Sequence, residues 1–443
     1  MRAIVIGGVA AGMSAASKLR RLDPGAEIAV YERGSFLSYG ACGLPYYVGG
    51  FNDDPGKLIA RTQAQYDEMG VQTFLRHEVL RVDARAGRVL VRDHDTGREF
   101  EDRYDALMIA VGCKSVAPPI PGADLPSVFC LKTMEDGLLL REIVRLPDVR
   151  HVAVIGGGYI GVEMAEALIR LGKAVTLIEG GERILNTFEP EFSELAAQEL
   201  ERNGVRVLVG HRVGAIREVG DRRMVEAGGA VVEADLVLMA AGVVPATEFL
   251  KDTGIRMARN GALLVDREMR TSLDGVYAAG DCAAVYHRLM EEDYFIPLGT
   301  VANKCGRIAG GNMHGLHEKF IGALGTAAIK VCGLEMGRTG MSEQDAKRLK
   351  LNYRTKLVTA ADHPAYYPDP AMLTIKLVYE ARTRRLLGAC VAGARGAVLR
   401  ADIFAVAIHS GMTADELGMV DLAYAPPFAG VWDAVHIAAN AAK

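Results

Sequence analysis

The chain has no Cys-x-x-Cys pair, no apolar run approaching the roughly 20 residues of a membrane span, and no block of like charge. Each absence removes a class of function. A formal net charge of -4 with interspersed Lys and Arg gives no basic stripe, so nucleic acid is excluded as a partner and any phosphate site must be local. The seven cysteines, at 42, 113, 130, 282, 305, 332 and 390, are scattered and odd in number, without metal-ligand spacing. They fit a reducing compartment rather than a disulfide framework, and no metal is expected. Met1-Arg2-Ala3-Ile4 leads directly into an apolar strand rather than a signal peptide, so the expected location is the cytoplasm, with no membrane contact. At 443 residues the chain is long enough for two or three domains.

Within that ordinary composition, glycine is clustered. Ala3-Ile4-Val5-Ile6 precedes Gly7-Gly8-Val9-Ala10-Ala11-Gly12 and a helix-compatible Met13 to Arg20; a second strand, Glu27 to Tyr31, ends in Glu32. Strand, glycine turn, helix and an acidic residue about twenty positions on form a dinucleotide site: backbone N–H groups approach the pyrophosphate and the carboxylate accepts from a ribose hydroxyl. Val9 replaces the middle glycine of that pattern. A second copy keeps all three glycines: His151 to Ile155, then Gly156-Gly157-Gly158-Tyr159-Ile160-Gly161, a helix through Leu168, and Ala174 to Ile178 ending in Glu179. Glu179 favours the unphosphorylated ribose of NADH and repels a 2′-phosphate, although Arg183 lies nearby, so NADPH stays open. Two such folds mean two dinucleotides.

The apolar runs Asp105 to Gly112 and Ala234 to Gly242 read as crossover points between domains, and Pro118, Pro119, Pro121 and Gly122 as a linker. Thr271 to Asp281 reads as a strand ending in Gly-Asp, where Asp281 can accept from a flavin ribitol hydroxyl. From about residue 323 the pattern changes to antiparallel strands (325–331, 356–359, 372–379) and helices (400–410, 413–417), an α+β packing or dimerisation domain. Two aromatic, proline-rich clusters stand out there: His363-Pro364-Ala365-Tyr366-Tyr367-Pro368 and Tyr424-Ala425-Pro426-Pro427-Phe428.

The chemistry centres on Ser38-Tyr39-Gly40-Ala41-Cys42-Gly43-Leu44-Pro45-Tyr46-Tyr47. Pro45 fits the first turn of a helix, which puts Cys42 at or just before a helix start, where the thiolate is favoured. Cys42 is therefore the candidate redox-active residue, and the other six cysteines are read as structural. Ser14, Lys18 and Arg21 fall at i, i+4 and i+7, on one helix face.

Taken together, these motifs resemble the flavin-dependent pyridine nucleotide-disulfide oxidoreductases, in the single-cysteine branch that holds coenzyme A disulfide reductases, CoA-persulfide reductases and NADH oxidases or peroxidases. The resemblance spans essentially the whole chain. It implies an α/β chain with two Rossmann-like domains, an FAD domain at 1–115 and 245–322 and an NAD(P)H domain at 116–244, plus an α+β dimerisation domain at 323–443 in a homodimer. It further implies FAD contacts at Gly7, Gly8, Ala10, Ala11, Gly12, Glu32, Arg33, Val79, Ala110, Gly112, Asp281 and Ala302. Nicotinamide-cofactor contacts follow at Gly156, Gly158, Tyr159, Ile160, Gly161, Glu163, Glu179 and Gly242. Cys42 would be catalytic with Tyr366 and Tyr424 donated across the dimer, and CoA would contact Ser14, Lys18, Arg21, Ser38 and Asn303.

Three features sort the branch. No second cysteine follows Cys42 through Gly49, so Cys42 must alternate between thiolate and a capped form. Ala10 stands where the peroxidases and oxidases resembling this chain usually carry a histidine. Cys42 to Tyr47 and the tyrosine clusters match the CoA-using members, whereas Ala41 replaces their common asparagine and leaves room for a smaller persulfide or polysulfide. The sequence therefore reads as an NAD(P)H-dependent reductase of CoA disulfide or persulfide, with an NADH oxidase, and a flavin-binding redox sensor without turnover, as the alternatives.

Overall fold

A computed structural model describes all of residues 1–443, which form two compact units. The first comprises Met1–Pro118, Phe129–Leu146 and Ala241–Ala323. Its centre is a five-stranded sheet in the order Val276–Ala278, Ala106–Ile109, Arg2–Ile6, Glu27–Glu32, Val71–Leu75, every neighbouring pair parallel. Ala3, Ile4, Val5, Leu107, Met108 and Ile109 are fully buried, as strands covered on both faces must be. Against this sheet, helices Ala10–Leu22 and Gly299–Met313 approach unusually closely: a Cβ on Gly306 or Gly310 would lie 2.3 Å from the carbonyl oxygens of Ala11 or Ala15. An antiparallel ribbon, His77–Asp83, Arg88–Asp93 and Glu99–Arg103, completes the unit.

The second unit comprises Pro119–Val128, Pro147–Ala240 and Leu324–Lys443. One layer repeats the first unit's pattern, with parallel strands paired in the order Val205–Leu208, Ala174–Ile178, His151–Ile155, Leu236–Met239. Helix Tyr159–Arg170 follows the glycine turn. The other layer is an antiparallel five-stranded sheet in the order Ala327–Val331, Leu334–Gly340, Leu386–Gly393, Met372–Glu380, Tyr353–Ala361, packed by helices Ala397–Ser410 and Ala434–Ala441. The expected α/β class, with doubled dinucleotide folds and a C-terminal α+β segment, is what is found. No helix is long and apolar enough to cross a membrane.

Inside this second unit the nicotinamide-type layer and the antiparallel sheet meet through a buried lysine. Lys376, on strand Met372–Glu380, lies 3.0 Å from Glu189, 2.9 Å from Glu191 and 2.9 Å from Glu343. Lys376 and Glu189 are almost wholly buried, so neither charge has water to fall back on. Removing the lysine strands Glu189. Lys376→Met is expected to lower the stability of the unit by about 3–5 kcal/mol, read by thermal unfolding, while Glu191→Gln, at a half-exposed partner, costs far less.

Candidate active site

The first glycine turn is shaped by contacts that leave no room for side chains. A Cβ on Gly7, whose φ is +101°, would sit 2.3 Å from the Ala110 carbonyl oxygen, and one on Gly12 would sit 1.9 Å from the Gly7 carbonyl oxygen. Helix Ala10–Leu22 starts after Val9 with no side chain capping it, so its leading N–H groups at Ala10 and Ala11 face the turn. Glu32 closes the turn: its carboxylate accepts from the Gly8 N–H and the Gly34 N–H, each at 2.7 Å. The second turn repeats this. Helix Tyr159–Arg170 is uncapped after Gly158, and Glu179 accepts from the Gly157 N–H at 2.7 Å and the Gly181 N–H at 2.6 Å. A cradle without Cβ atoms, an uncapped helix start and a fixed carboxylate suit a dinucleotide, so both sites fit the groups their sequences imply. Val9 is compatible too. A Cβ on Gly158, its counterpart, meets no protein atom within 4 Å.

Asp281 and Ala302, two of the residues expected at the flavin, lie beside the helix that follows the first turn. Gly280, φ +85°, brings Asp281 to the end of strand Val276–Ala278, where a Cβ on the glycine would be 3.1 Å from Ala11 Cβ and 3.7 Å from Ala302 Cβ. Asp281 accepts from the Cys113 thiol at 3.2 Å and pairs with Lys132 Nζ at 3.3 Å. Val79 is buried in the ribbon, and Arg33 pairs loosely with Glu78 at 3.7 Å. Gly112 takes a positive φ next to Cys113. In the second unit Tyr159 accepts from the Thr187 hydroxyl at 3.3 Å and packs on Phe188; Ile160 and Glu163 follow on the same helix, and Gly242, numbered within the first unit, takes φ +114°.

Cys42 sits in a single 3-10 turn, Ala41–Gly43, that runs into helix Leu44–Val48 with Pro45 in its first turn. The loop is tied to the glycine turn: the Ser38 N–H donates to the Gly8 carbonyl at 2.8 Å, and Tyr66 donates to the Ser38 hydroxyl at 3.0 Å. Ser38 has φ +48°, a strained value held by those two bonds together with the Ala60 N–H on its carbonyl. From beneath, Arg141 donates to the carbonyls of Tyr47 and Asn52, pairs with Asp53, and lies over the Tyr47 ring at 4.3 Å. Of the seven cysteines, Cys42 is the exposed one. Burial pushes Cys282, Cys305 and Cys390 up to about 12 and Cys113 and Cys332 up to about 11, and raises Cys130 as well.

The remaining candidates fall into two groups. On helix Ala10–Leu22, Ser14 donates to Asn303 Oδ1 at 2.7 Å, Lys18 pairs with Glu318 at 3.4 Å, and Arg21 is exposed. The structure thus joins Ser14 to Asn303 and gives Lys18 an anionic neighbour. In the second unit the hydroxyls of Tyr366 and Tyr424 meet at 2.8 Å, both rings exposed, and that bond raises the Tyr366 hydroxyl. Tyr367 instead packs edge-on against His363. Sequence reasoning missed Lys132 and Arg141. Both lie in or before helix Met134–Val144, whose capping box of Thr133 and Asp136 was the available signal.

A model described as "Pyridine nucleotide-disulphide oxidoreductase" matches residues 1–302, and that family's dimerisation domain matches residues 326–435. The "NAD(P)H coenzyme A polysulfide/persulfide reductase" of Pyrococcus horikoshii is 36% identical over 447 residues, covering 100% of this chain and 98% of the relative. An "NADH oxidase" of Methanocaldococcus jannaschii is 32% identical, covering 99% and 98%. The solved structure of an NAD-dependent persulfide reductase from A. fulgidus superposes with a TM-score of 0.95 at 35% identity, covering 99% of this chain and 82% of that one.

The thiol environments predict a reactivity split. In protein first reduced and then freed of reductant, a disulfide reagent at neutral pH is expected to label one thiol per native chain rapidly and none in Cys42→Ser, while all seven wild-type thiols react after denaturation. Rapid labelling of two or more native thiols contradicts the assignment.

Proposed function

We propose that this chain, which belongs to the pyridine nucleotide-disulphide oxidoreductase family, uses NADH to reduce coenzyme A disulfide or CoA persulfide and polysulfide, with Cys42 as its one redox-active sulfur. The observation that carries this reading is the exposed Cys42 thiol on a loop bonded to the first glycine turn, while the six other thiols are less exposed and raised by burial. FAD, held in the first unit, would supply the redox chemistry, taking one hydride from NADH and passing its two electrons to sulfur.

The residues of the chain perform the rest. Gly156, Gly158 and Gly161 with the uncapped helix hold the NADH pyrophosphate, and Glu179 takes the ribose hydroxyls and disfavours a 2′-phosphate. The Cys42 thiolate attacks one sulfur of CoA disulfide, forming a Cys42–S–S–CoA bond and releasing one CoA thiolate, which takes a proton from the Tyr366–Tyr424 pair of the other subunit. Two electrons then break that bond, the second CoA leaves, and the Cys42 thiolate is restored. The sum is CoA disulfide, NADH and a proton giving two CoA thiols and NAD; with a CoA persulfide the products are one CoA thiol and hydrogen sulfide. Ser14, Lys18, Arg21, Ser38 and Asn303 supply the CoA contacts, and the C-terminal domain pairs two copies.

Oxygen as acceptor is the second reading, favoured by the name of the M. jannaschii relative. Ala10, in place of a histidine at the first turn, speaks against it. Mass spectrometry of the purified protein is expected to lose one CoA mass, mapped to Cys42, on adding NADH, and NADH consumption in air is expected to rise sharply on adding CoA disulfide. Rapid four-electron oxygen reduction without any disulfide overturns the reading.

A further inference from the structure

We infer that a buried arginine, Arg400, is the positioning residue that brings Tyr366 and Tyr424 together, and this inference rests on the proposed role of that pair. The two tyrosines stand 58 positions apart on separate loops, both exposed, and their hydroxyls meet at 2.8 Å. Their loops share one anchor. Arg400, buried on helix Ala397–Ser410, donates from Nη2 to the Asp362 carbonyl at 3.0 Å, where the Tyr366 loop begins, and to the Phe428 carbonyl at 3.3 Å in the Tyr424 loop. Its Nε and Nη2 grip the Asp433 carboxylate at 3.0 and 2.6 Å. A planar fork holds its donors in fixed directions toward these three groups, a geometry that a point-like ammonium on a flexible stem does not reproduce.

Each loop is closed by a second buried contact. Asp362 accepts from the Ala371 N–H at 2.8 Å, meets His363 Nδ1 at 2.6 Å and Arg395 Nε at 2.7 Å, and His363 Nε2 reaches the Pro368 carbonyl at 3.0 Å. Asp433 caps helix Ala434–Ala441 by accepting from the Val435 N–H at 2.9 Å, and its own N–H donates to His436 Nδ1. His436 Nε2 in turn holds the Val420 carbonyl at 2.8 Å, at the start of the Tyr424 loop. Asp362, His363, Arg400, Asp433 and His436 are all buried, so every polar group here depends on the others. Such a network sets the relative place of two loops and touches no substrate itself.

The test uses full-length, FAD-loaded Arg400→Lys and, on the half-exposed side of the network, Arg395→Gln. Both steps are followed separately by rapid mixing: flavin reduction by NADH, and reoxidation by CoA disulfide. Reduction is expected at the wild-type rate, and reoxidation slowed on the order of 100-fold in Arg400→Lys, the scale of a small misplacement of reacting groups, and less in Arg395→Gln. Because Arg400 acts through the tyrosines, Arg400→Lys is expected to add no further slowing in a Tyr366→Phe/Tyr424→Phe background. A second readout needs no turnover. In protein labelled at tyrosine with ¹³C, the Tyr366 resonance, assigned with Tyr366→Phe, is expected to titrate above the ordinary tyrosine range in wild type and to return to it in Arg400→Lys. Wild-type reoxidation in both variants, equal slowing of both steps, full slowing in the tyrosine-free background, or an unchanged Tyr366 titration overturns the inference. If the tyrosine-free protein itself reoxidises at the wild-type rate, the donor role of the pair fails, and the titration alone decides whether Arg400 positions it.

Discussion

The site depends on one short bond between loops: the Ser38 N–H on the Gly8 carbonyl, at 2.8 Å. Gly8 belongs to the turn that fits a dinucleotide, and Cys42 lies four residues beyond Ser38, so this bond registers the Cys42 loop against that turn. The positive φ of Ser38 is the conformational cost of that registration, and Tyr66 and the Ala60 N–H hold the residue in place. The helix after Cys42 is only five residues long, too short to persist by its own hydrogen bonds. Arg141 holds it from below through the Tyr47 carbonyl and ring.

Both dinucleotide turns solve the same problem with the same parts, which is why the pattern was readable without a structure. A glycine that abuts a carbonyl oxygen at about 2 Å from its missing Cβ admits no substitute, as at Gly7, Gly12 and Gly161, and Gly156 has a φ of +109°, so their spacing survives as a string. The strands were legible for a related reason. Buried parallel strands are continuous apolar runs, and His151–Ile155 and Ala174–Ile178 were read with the bounds they have. Helix ends were less clear: the first helix starts at Ala10 and the second at Tyr159, inside the glycine motifs themselves, because an uncapped start has no Ser, Thr or Asp to mark it.

What stayed hidden were single charges whose partners are distant in sequence. Arg141 reaches back 94 positions to Tyr47, Lys132 reaches Asp281 across 149, and Arg400 serves Asp362 and Asp433, at 38 and 33 positions. No periodicity or motif marks an arginine that ends up buried, since the composition of its neighbourhood is that of any helix surface. The tyrosine clusters were visible as aromatic and proline-rich strings, but their meeting was not, because it is set by the buried network beneath them rather than by their own residues. The first unit therefore states its chemistry in local sequence, and the second states part of it only in three dimensions.

The central claim is that electrons leave this protein through the Cys42 sulfur. Its most direct test is a single-turnover comparison of wild type and Cys42→Ser, each loaded with FAD and reduced by NADH in the absence of oxygen, then mixed with CoA disulfide. The account predicts that both proteins are reduced by NADH, that wild type is reoxidised, and that Cys42→Ser remains reduced. Reoxidation of Cys42→Ser by CoA disulfide at the wild-type rate contradicts it.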